Sequence, residues 1–239
     1  MNPLLPEARN ILSYLHGKVV LAIADITTFH GDVIVNAANE EMVGGGGVDG
    51  AIHRAAGRRL YEECVKFPRQ IGTHIRCAVG EAKMTAAYEL PCKRVIHTVG
   101  PDYLCPQHQH PVYIICFDEE GKLAKVPMPP DRLLAACYEN SLRLFESLEW
   151  ATSIAFPSIS TGIYGYPPEE AANIAAGVVS AYVERKGKGD IYFCFKSEAK
   201  REVYAKAFDL YLLPSIVPQW TEGAIETKGE TSERETTTD

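Results

Sequence analysis

The chain has 239 residues, of which 46% are hydrophobic and 23% charged, which suits one sizeable core better than several domains. Its formal net charge is −7, with six acids and two bases between Gln219 and Asp239, and that balance counts against an electrostatic nucleic-acid binder. No apolar run is long enough to span a bilayer, and Met1-Asn-Pro-Leu-Leu-Pro6 lacks the charged start and long apolar core of a secretory leader.

In chain order, residues 7–16 read as a lead-in helix and 19–26 as a strand ending near Asp25. Further strand-like runs fall at 33–37, 94–99, 153–157 and 190–195, and helical patterns at 49–65, 131–148, 168–185 and 198–211. Strands alternating with helices predict an α/β fold whose mostly parallel sheet is covered on both faces. One domain is expected over 1–217, with a Thr- and Glu-rich polar tail over 218–239 expected to be disordered. Seven cysteines (64, 77, 92, 105, 116, 137 and 194) are scattered and odd in number, as suits reduced thiols inside a cell. The cytosol or nucleus is the expected location, with an organelle left open.

Two loops carry the chemistry. In the first, the apolar run Val33–Val35 ends in asparagines, and Gly44-Gly-Gly-Gly-Val-Asp-Gly50 leads into a helical segment. Glycines let a backbone approach an anion closely, and the free N–H groups of a helix start can donate to it. Residues 45–50 formally meet the G-x-G-x-x-G pattern, but Glu40 to Val43 separate them from their strand and no acid-ended strand follows at the right distance. No Lys-Ser or Lys-Thr follows the glycines either, so neither a nicotinamide enzyme nor a P-loop nucleotidase is expected. The second loop, Ser160-Thr-Gly-Ile-Tyr-Gly165, follows the strand-like run at 153–157 and stops at Pro167-Pro168, where Glu169 and Glu170 open a helix. Two such loops at the carboxyl edge of a parallel sheet could hold a diphosphate between them.

Six segments occur in order: Gly31-Asp-Val-Ile-Val-Asn-Ala-Ala-Asn39, the Gly44–Gly50 loop, Ala51-Ile-His-Arg-Ala-Ala-Gly57, Gly80-Glu-Ala-Lys83, Val95-Ile-His-Thr-Val-Gly-Pro101 and Phe156-Pro-Ser-Ile-Ser-Thr-Gly-Ile-Tyr-Gly165. Together they resemble the macrodomain family, and within it the MacroD-type branch, over roughly Val19 to Lys196. The resemblance implies a three-layer α/β/α sandwich that binds ADP-ribose and hydrolyses it from acidic side chains or from O-acetyl-ADP-ribose. It also implies action on mono-ADP-ribosylated proteins; a monomer without a cofactor is expected, and charge and hydropathy predict no nucleic-acid or membrane partner. Two alternatives share the binding site: a non-catalytic ADP-ribose reader and an ADP-ribose 1″-phosphate phosphatase.

Residue by residue, the resemblance assigns Asp25 and Ile26 to the adenine, although Asp25 alone would read as a cap onto Thr27 or Thr28. Asn39 is expected to grip the distal ribose, while Asn36 reads as a structural amide within the strand. Gly45, Gly46, Gly47 and Val48 are expected around the diphosphate and distal ribose. Ser158, Ser160, Thr161, Gly162, Ile163 and Tyr164 are expected to close the other side, with Phe195 stacked on adenine. Asp49 and His53, four apart, share one helix face. The resemblance makes Asn39, Asp49 and His53 the catalytic group: Asp49 orients or deprotonates a water, and His53 supports it or simply packs beneath the loop.

One stretch departs from the family pattern. Residues 102–130 form an insertion in which Val112–Phe117 and Leu123–Val126, separated by Asp118-Glu-Glu-Gly121, predict a β-hairpin. Cys105, His108, His110 and Cys116 lie within it, but their spacing matches no well-known zinc finger, and no metal is expected.

Overall fold

The computed structural model describes residues 4–117 and 122–212; the tail expected over 218–239 and the hairpin turn at 118–121 lie outside them. The elements are β1 (Arg9–Tyr14), β2 (Val19–Ile23), β3 (Val33–Ala37), α1 (Gly47–Ala56), α2 (Arg58–Cys64), β4 (Ala82–Ala86) and β5 (Arg94–Thr98). They continue with β6 (Tyr113–Phe117), β7 (Leu123–Pro127), α3 (Pro130–Glu146), β8 (Ser153–Phe156), α4 (Pro168–Glu184), β9 (Asp190–Phe195) and α5 (Glu198–Tyr211).

Seven strands form one sheet in the order β1-β2-β9-β8-β3-β5-β4. The pairs from β2 through β5 are parallel, and the two edge strands, β1 and β4, run antiparallel to their neighbours. Alternation along each strand sends side chains to opposite faces. Val33, Val35, Phe156 and Phe193 pack with α3, α4 and α5 on one side; Ile34, Val95, Ala155 and Tyr192 pack with α1 and α2 on the other. These are the three layers, and every parallel strand ends on the same edge. The inserted β6–β7 hairpin stands as its own two-stranded sheet.

Three expectations need correction. Residues 7–16 do not form a helix. Glu7, Ala8, Arg9 and Leu12 favour one locally, but β1 instead covers the exposed edge of β2, with Leu12 opposite Leu21 and Tyr14 opposite Val19. Tyr14 is fully buried and its hydroxyl donates to Asp209 Oδ1 at 2.8 Å, which fixes the strand against α5. The helix expected over 49–65 is two helices, broken at Gly57, whose φ of +76° suits glycine. Strand β4 was not anticipated: Ala82-Lys-Met-Thr-Ala86 is a half-exposed edge whose polar residues hide the pattern.

Candidate functional site

Strand β3 delivers Asn36 at its penultimate position and, just past its end, Asn39. The chain then turns through Gly44, Gly45 and Gly46 into α1, whose N-cap is Gly46. From the other side, β8 delivers the loop 157–166, in which Ser160 adopts a φ of +61°. A cleft of about 250 Å³ lies between them, lined by Ala37, Ala38, Asn39, Gly45–Asp49, Gly100, Ser160 and Gly162–Tyr164. The start of α1 faces it, so free backbone N–H groups and the positive end of the helix dipole meet in one place. Such an arrangement can take an anion without a cationic side chain among its lining residues.

Asp49 is the one carboxylate in that lining, and it is 4% exposed. Its Oδ1 accepts from Asn36 Nδ2 at 2.7 Å, while Oδ2 lies on the side of Gly45. Burial raises the Asp49 pKa, against the lowering pull of the Asn36 hydrogen bond and of His53. Burial lowers that of His53 against the attraction of Asp49, so His53 is neutral at pH 7 beside a carboxylate. The His53 Nε2 is 3.5 Å from Asp49 Oδ1 yet makes no hydrogen bond. Its ring lies beneath Gly44, where a Cβ would stand 3.3 Å from Cγ, and it does not line the cleft. His53 thus packs beneath the loop, one turn from Asp49. Asn39 spans its own loop, donating from Nδ2 to the Gly44 carbonyl at 2.9 Å, and its buried Oδ1 has no protein partner.

On the opposite wall, Ser160, Gly162, Ile163 and Tyr164 line the cleft, whereas Ser158 and Thr161 do not. The Ser158 carbonyl accepts from Thr161 Oγ1 at 3.2 Å. Lys200 on α5 reaches the same loop, with Nζ 3.0 Å from the Thr161 carbonyl and 3.3 Å from Thr161 Oγ1. Nothing in the sequence pattern marks Lys200 as a loop anchor, because the link joins residues 39 positions apart.

Asp25 and Ile26 sit on the same edge of the sheet, just past β2, but outside the cleft lining. Asp25 Oδ1 accepts from the Thr27 amide at 2.9 Å and from Thr27 Oγ1 at 2.8 Å, so one oxygen is a cap. Phe195 departs from its expected place. It is 1% exposed, its ring is near-parallel to Phe193 and 4.8 Å from Tyr204, and it belongs to the core on the α5 side. Burying such a ring contributes about 1.5–3 kcal/mol, which stacking on a ligand would have to offset.

Two residues were given no role by sequence reading, although His97 lies in one of the six segments quoted for the resemblance. His97 stands opposite Asn36 in the β3–β5 register, fully buried, and Thr85 lies across the next strand pair. The only signal for them was register, which needs the fold first. Among the described residues, His53, Cys64 and His97 bring possible metal-ligand atoms within 4.8 Å of one another. They do not fit a metal as they stand: His97 Nε2 is bonded to Thr85 at 2.9 Å, and burial pushes the Cys64 thiol up to about 12, away from the thiolate that metals bind. In the insertion, His108 faces Asp102 at 3.9 Å and His110 faces Glu40 at 3.7 Å, each paired with a carboxylate instead of with each other.

The family model that matches is the Macro domain, over residues 35–115 and 126–175. A macro domain-containing protein of Chlorobaculum tepidum is 46% identical over 185 residues, covering 77% of this chain and 91% of its own. The O-acetyl-ADP-ribose deacetylase of Escherichia coli K12 is 42% identical, covering 79% of this chain and 94% of its own. The ADP-ribose glycohydrolase MACROD2 of Xenopus laevis is 41% identical over 84% of this chain, which spans 42% of that longer protein. Among solved structures, the Oceanobacillus iheyensis macrodomain with ADP superposes with a TM-score of 0.68 at 34% identity, covering 84% of this chain and 95% of its own.

Proposed function

The chain belongs to the macrodomain family, and on that footing we propose that it is an ADP-ribose-binding hydrolase. Its substrates are proteins mono-ADP-ribosylated on acidic side chains, and O-acetyl-ADP-ribose, whose ester bond is of the same type. The carrying observation is Asp49: a buried carboxylate, held by Asn36, in the wall of an anion cleft at a helix N-terminus. A module that only binds ADP-ribose has no need of a carboxylate there, because a negative charge beside a diphosphate weakens binding.

The chemistry follows from the placement. The loops at Gly45–Val48 and Ser160–Tyr164 take the diphosphate on backbone donors, and Asn39 Oδ1 accepts from a distal ribose hydroxyl. An ester on that ribose is activated, so the enzyme's task is to position one water. For an acidic side-chain adduct, the water oxygen bonds the anomeric carbon of the distal ribose as the carboxylate leaves it, and its proton passes to Asp49 or a diphosphate oxygen. His53 packs beneath the loop, and its protonation is linked to that of Asp49. Supporting this reading, solved variants of the Oceanobacillus macrodomain replace an asparagine, a glycine and an aspartate with the sequence spacing of Asn39, Gly46 and Asp49 here.

The test is release of ADP-ribose from a protein mono-ADP-ribosylated on glutamate, with calorimetric ADP-ribose binding alongside. Turnover that collapses in Asn39→Ala and Asp49→Ala, with Asp49→Ala retaining most of its affinity, supports the proposal. Tight binding with no release by the wild-type chain would make it a reader instead.

A further inference from the structure

Behind Asp49 runs a chain of hydrogen bonds that the reaction itself does not use. Thr85 Oγ1 donates to the Ala86 carbonyl at 3.1 Å and lies 2.9 Å from His97 Nε2, which is also 3.8 Å from Cys64 Sγ. On the far side of the same ring, His97 Nδ1 is 3.1 Å from Asn36 Nδ2. Asn36 Nδ2 then donates to Asp49 Oδ1 at 2.7 Å. Thr85, His97, Asn36 and Asp49 are all buried, at 2%, 0%, 0% and 4% exposure, so water does not compete for these groups.

We propose that Thr85 and His97 are positioning residues that fix which end of the Asn36 amide faces Asp49, and through it the direction of the Asp49 carboxylate. This rests on the reading of Asp49 as the base.

The argument is one of donor and acceptor bookkeeping. With the Thr85 hydroxyl hydrogen spent on Ala86, Thr85 offers His97 a lone pair, and the Cys64 sulfur 3.8 Å away can accept from the same nitrogen. That selects the neutral ring with its hydrogen on Nε2. Nδ1 is then an acceptor and calls for a donor from Asn36. The NH2 group has two hydrogens, and the geometry spends one on His97 and one on Asp49. Asn36 Oδ1 is buried with no protein partner, so it has no vote in which way the amide turns. If the ring carried its hydrogen on Nδ1, the amide would gain by turning its oxygen to it. It would then present that oxygen to a carboxylate 2.7 Å away, and acceptor would face acceptor. Asp49 would have to rotate or take up a proton, and its Oδ2 would leave the position beside Gly45 and Asn39. Burial also holds the His97 pKa near 3, so the ring stays neutral and keeps an acceptor nitrogen throughout the working range.

The variants Thr85→Val, which keeps the shape and removes the hydroxyl, and Thr85→Ser, which keeps the hydroxyl, separate polarity from packing. Nitrogen-15 NMR of the full chain reads the His97 tautomer directly, while single-turnover release of ADP-ribose and ADP-ribose calorimetry read function. The expected result is an Nε2–H ring in the wild type and in Thr85→Ser, and a shift toward Nδ1–H in Thr85→Val. Turnover in Thr85→Val should fall about tenfold or more, as a misdirected group does, with ADP-ribose affinity within about twofold. An Nδ1–H ring in the wild type overturns the proposal, as does wild-type turnover in Thr85→Val. Parallel losses of affinity and turnover that Thr85→Ser does not restore also overturn it, since they mark a general loss of packing. A wild-type chain that releases no ADP-ribose defeats the hydrolase reading instead, and the ring tautomers in the wild type and Thr85→Val still decide the relay.

Discussion

Placing a single methyl group at Gly45 would probe the geometry of the cleft. A Cβ there stands 3.2 Å from Asp49 Oδ2 and 3.4 Å from Asn39 Nδ2, a few tenths of an ångström inside ordinary contact. Gly45 does not have a positive φ, so Gly45→Ala brings no backbone strain. Neither neighbour can slide away freely. Asp49 is held by Asn36 at 2.7 Å and Asn39 by the Gly44 carbonyl at 2.9 Å. The carboxylate therefore rotates about its pinned oxygen, and Oδ2 moves by roughly half an ångström. If about 1 Å of misplacement costs on the order of a hundredfold, turnover should fall about threefold to tenfold. The crowding should cost about 1 kcal/mol of stability, or roughly 2–4 °C in Tm for a domain of this size. Single-turnover release of ADP-ribose, calorimetry and thermal melting measure the three quantities. Unchanged turnover in a folded Gly45→Ala chain would refute the reasoning that turnover depends on where the Asp49 carboxylate points. Equal losses in turnover and affinity would show that the methyl obstructs ligand entry and leaves the base alone.

Burial raises the Asp49 pKa and lowers that of His53, so the acid limb of kcat/KM should lie above the ordinary aspartate value of 3.8 and report the Asp49–His53 pair, with Asp49 needed for it. A pH profile of Asp49→Asn that kept this limb would contradict the assignment. Asp25→Ala should weaken ADP-ribose binding by about tenfold and lower stability by about 1 kcal/mol through loss of the Thr27 cap. Calorimetry showing full affinity would remove Asp25 from the site and leave only the cap. Asp32, beside the start of β3, is 7% exposed; burial would raise its pKa, but Lys93 at 2.7 Å and the Thr152 amide at 2.7 Å outweigh this and lower it. A depressed folded pKa contributes stability that is present above the unfolded value and lost as pH falls through the folded one. Asp32→Asn should therefore be less stable than wild type at pH 7 by about 2 kcal/mol, with the gap closing below pH 3.8. Denaturant melts with a gap independent of pH would show that the charge of Asp32 contributes nothing.

What the sequence disclosed follows from which interactions are local. The parallel strands β2, β3, β8 and β9 are short apolar runs buried on both faces, and such runs are visible without knowing their partners. The glycine loop and Asp49 were legible for a similar reason: helix start, glycines and acid lie within a few residues of one another. β1 was misread because its own residues prefer a helix while its partner β2 decides otherwise, and β4 was missed because an edge strand needs to be apolar on one face only. The roles of Thr85 and His97 were invisible for a different reason. Their role arises from the side-by-side registers of β3, β5 and β4, which no linear pattern records. Phe195 shows the reverse case: the family resemblance suggested a ligand, whereas its strand-end position suits the core, where it packs on Phe193 and Tyr204.

The strand order also governs how the protein comes to exist on the ribosome. β2, near the beginning, has as its parallel neighbour β9, with Val19 beside Ile191, and the cleft needs one loop after β3 and another after β8. At roughly 5–20 residues per second, the early strands wait about ten seconds or more for the late ones to be synthesised. Through that interval the first glycine loop has no opposite wall, so ADP-ribose cannot act as a template for the nascent chain. Ligand can stabilise only a molecule that is already nearly complete, and the early half must be kept from aggregating by other means until β9 emerges.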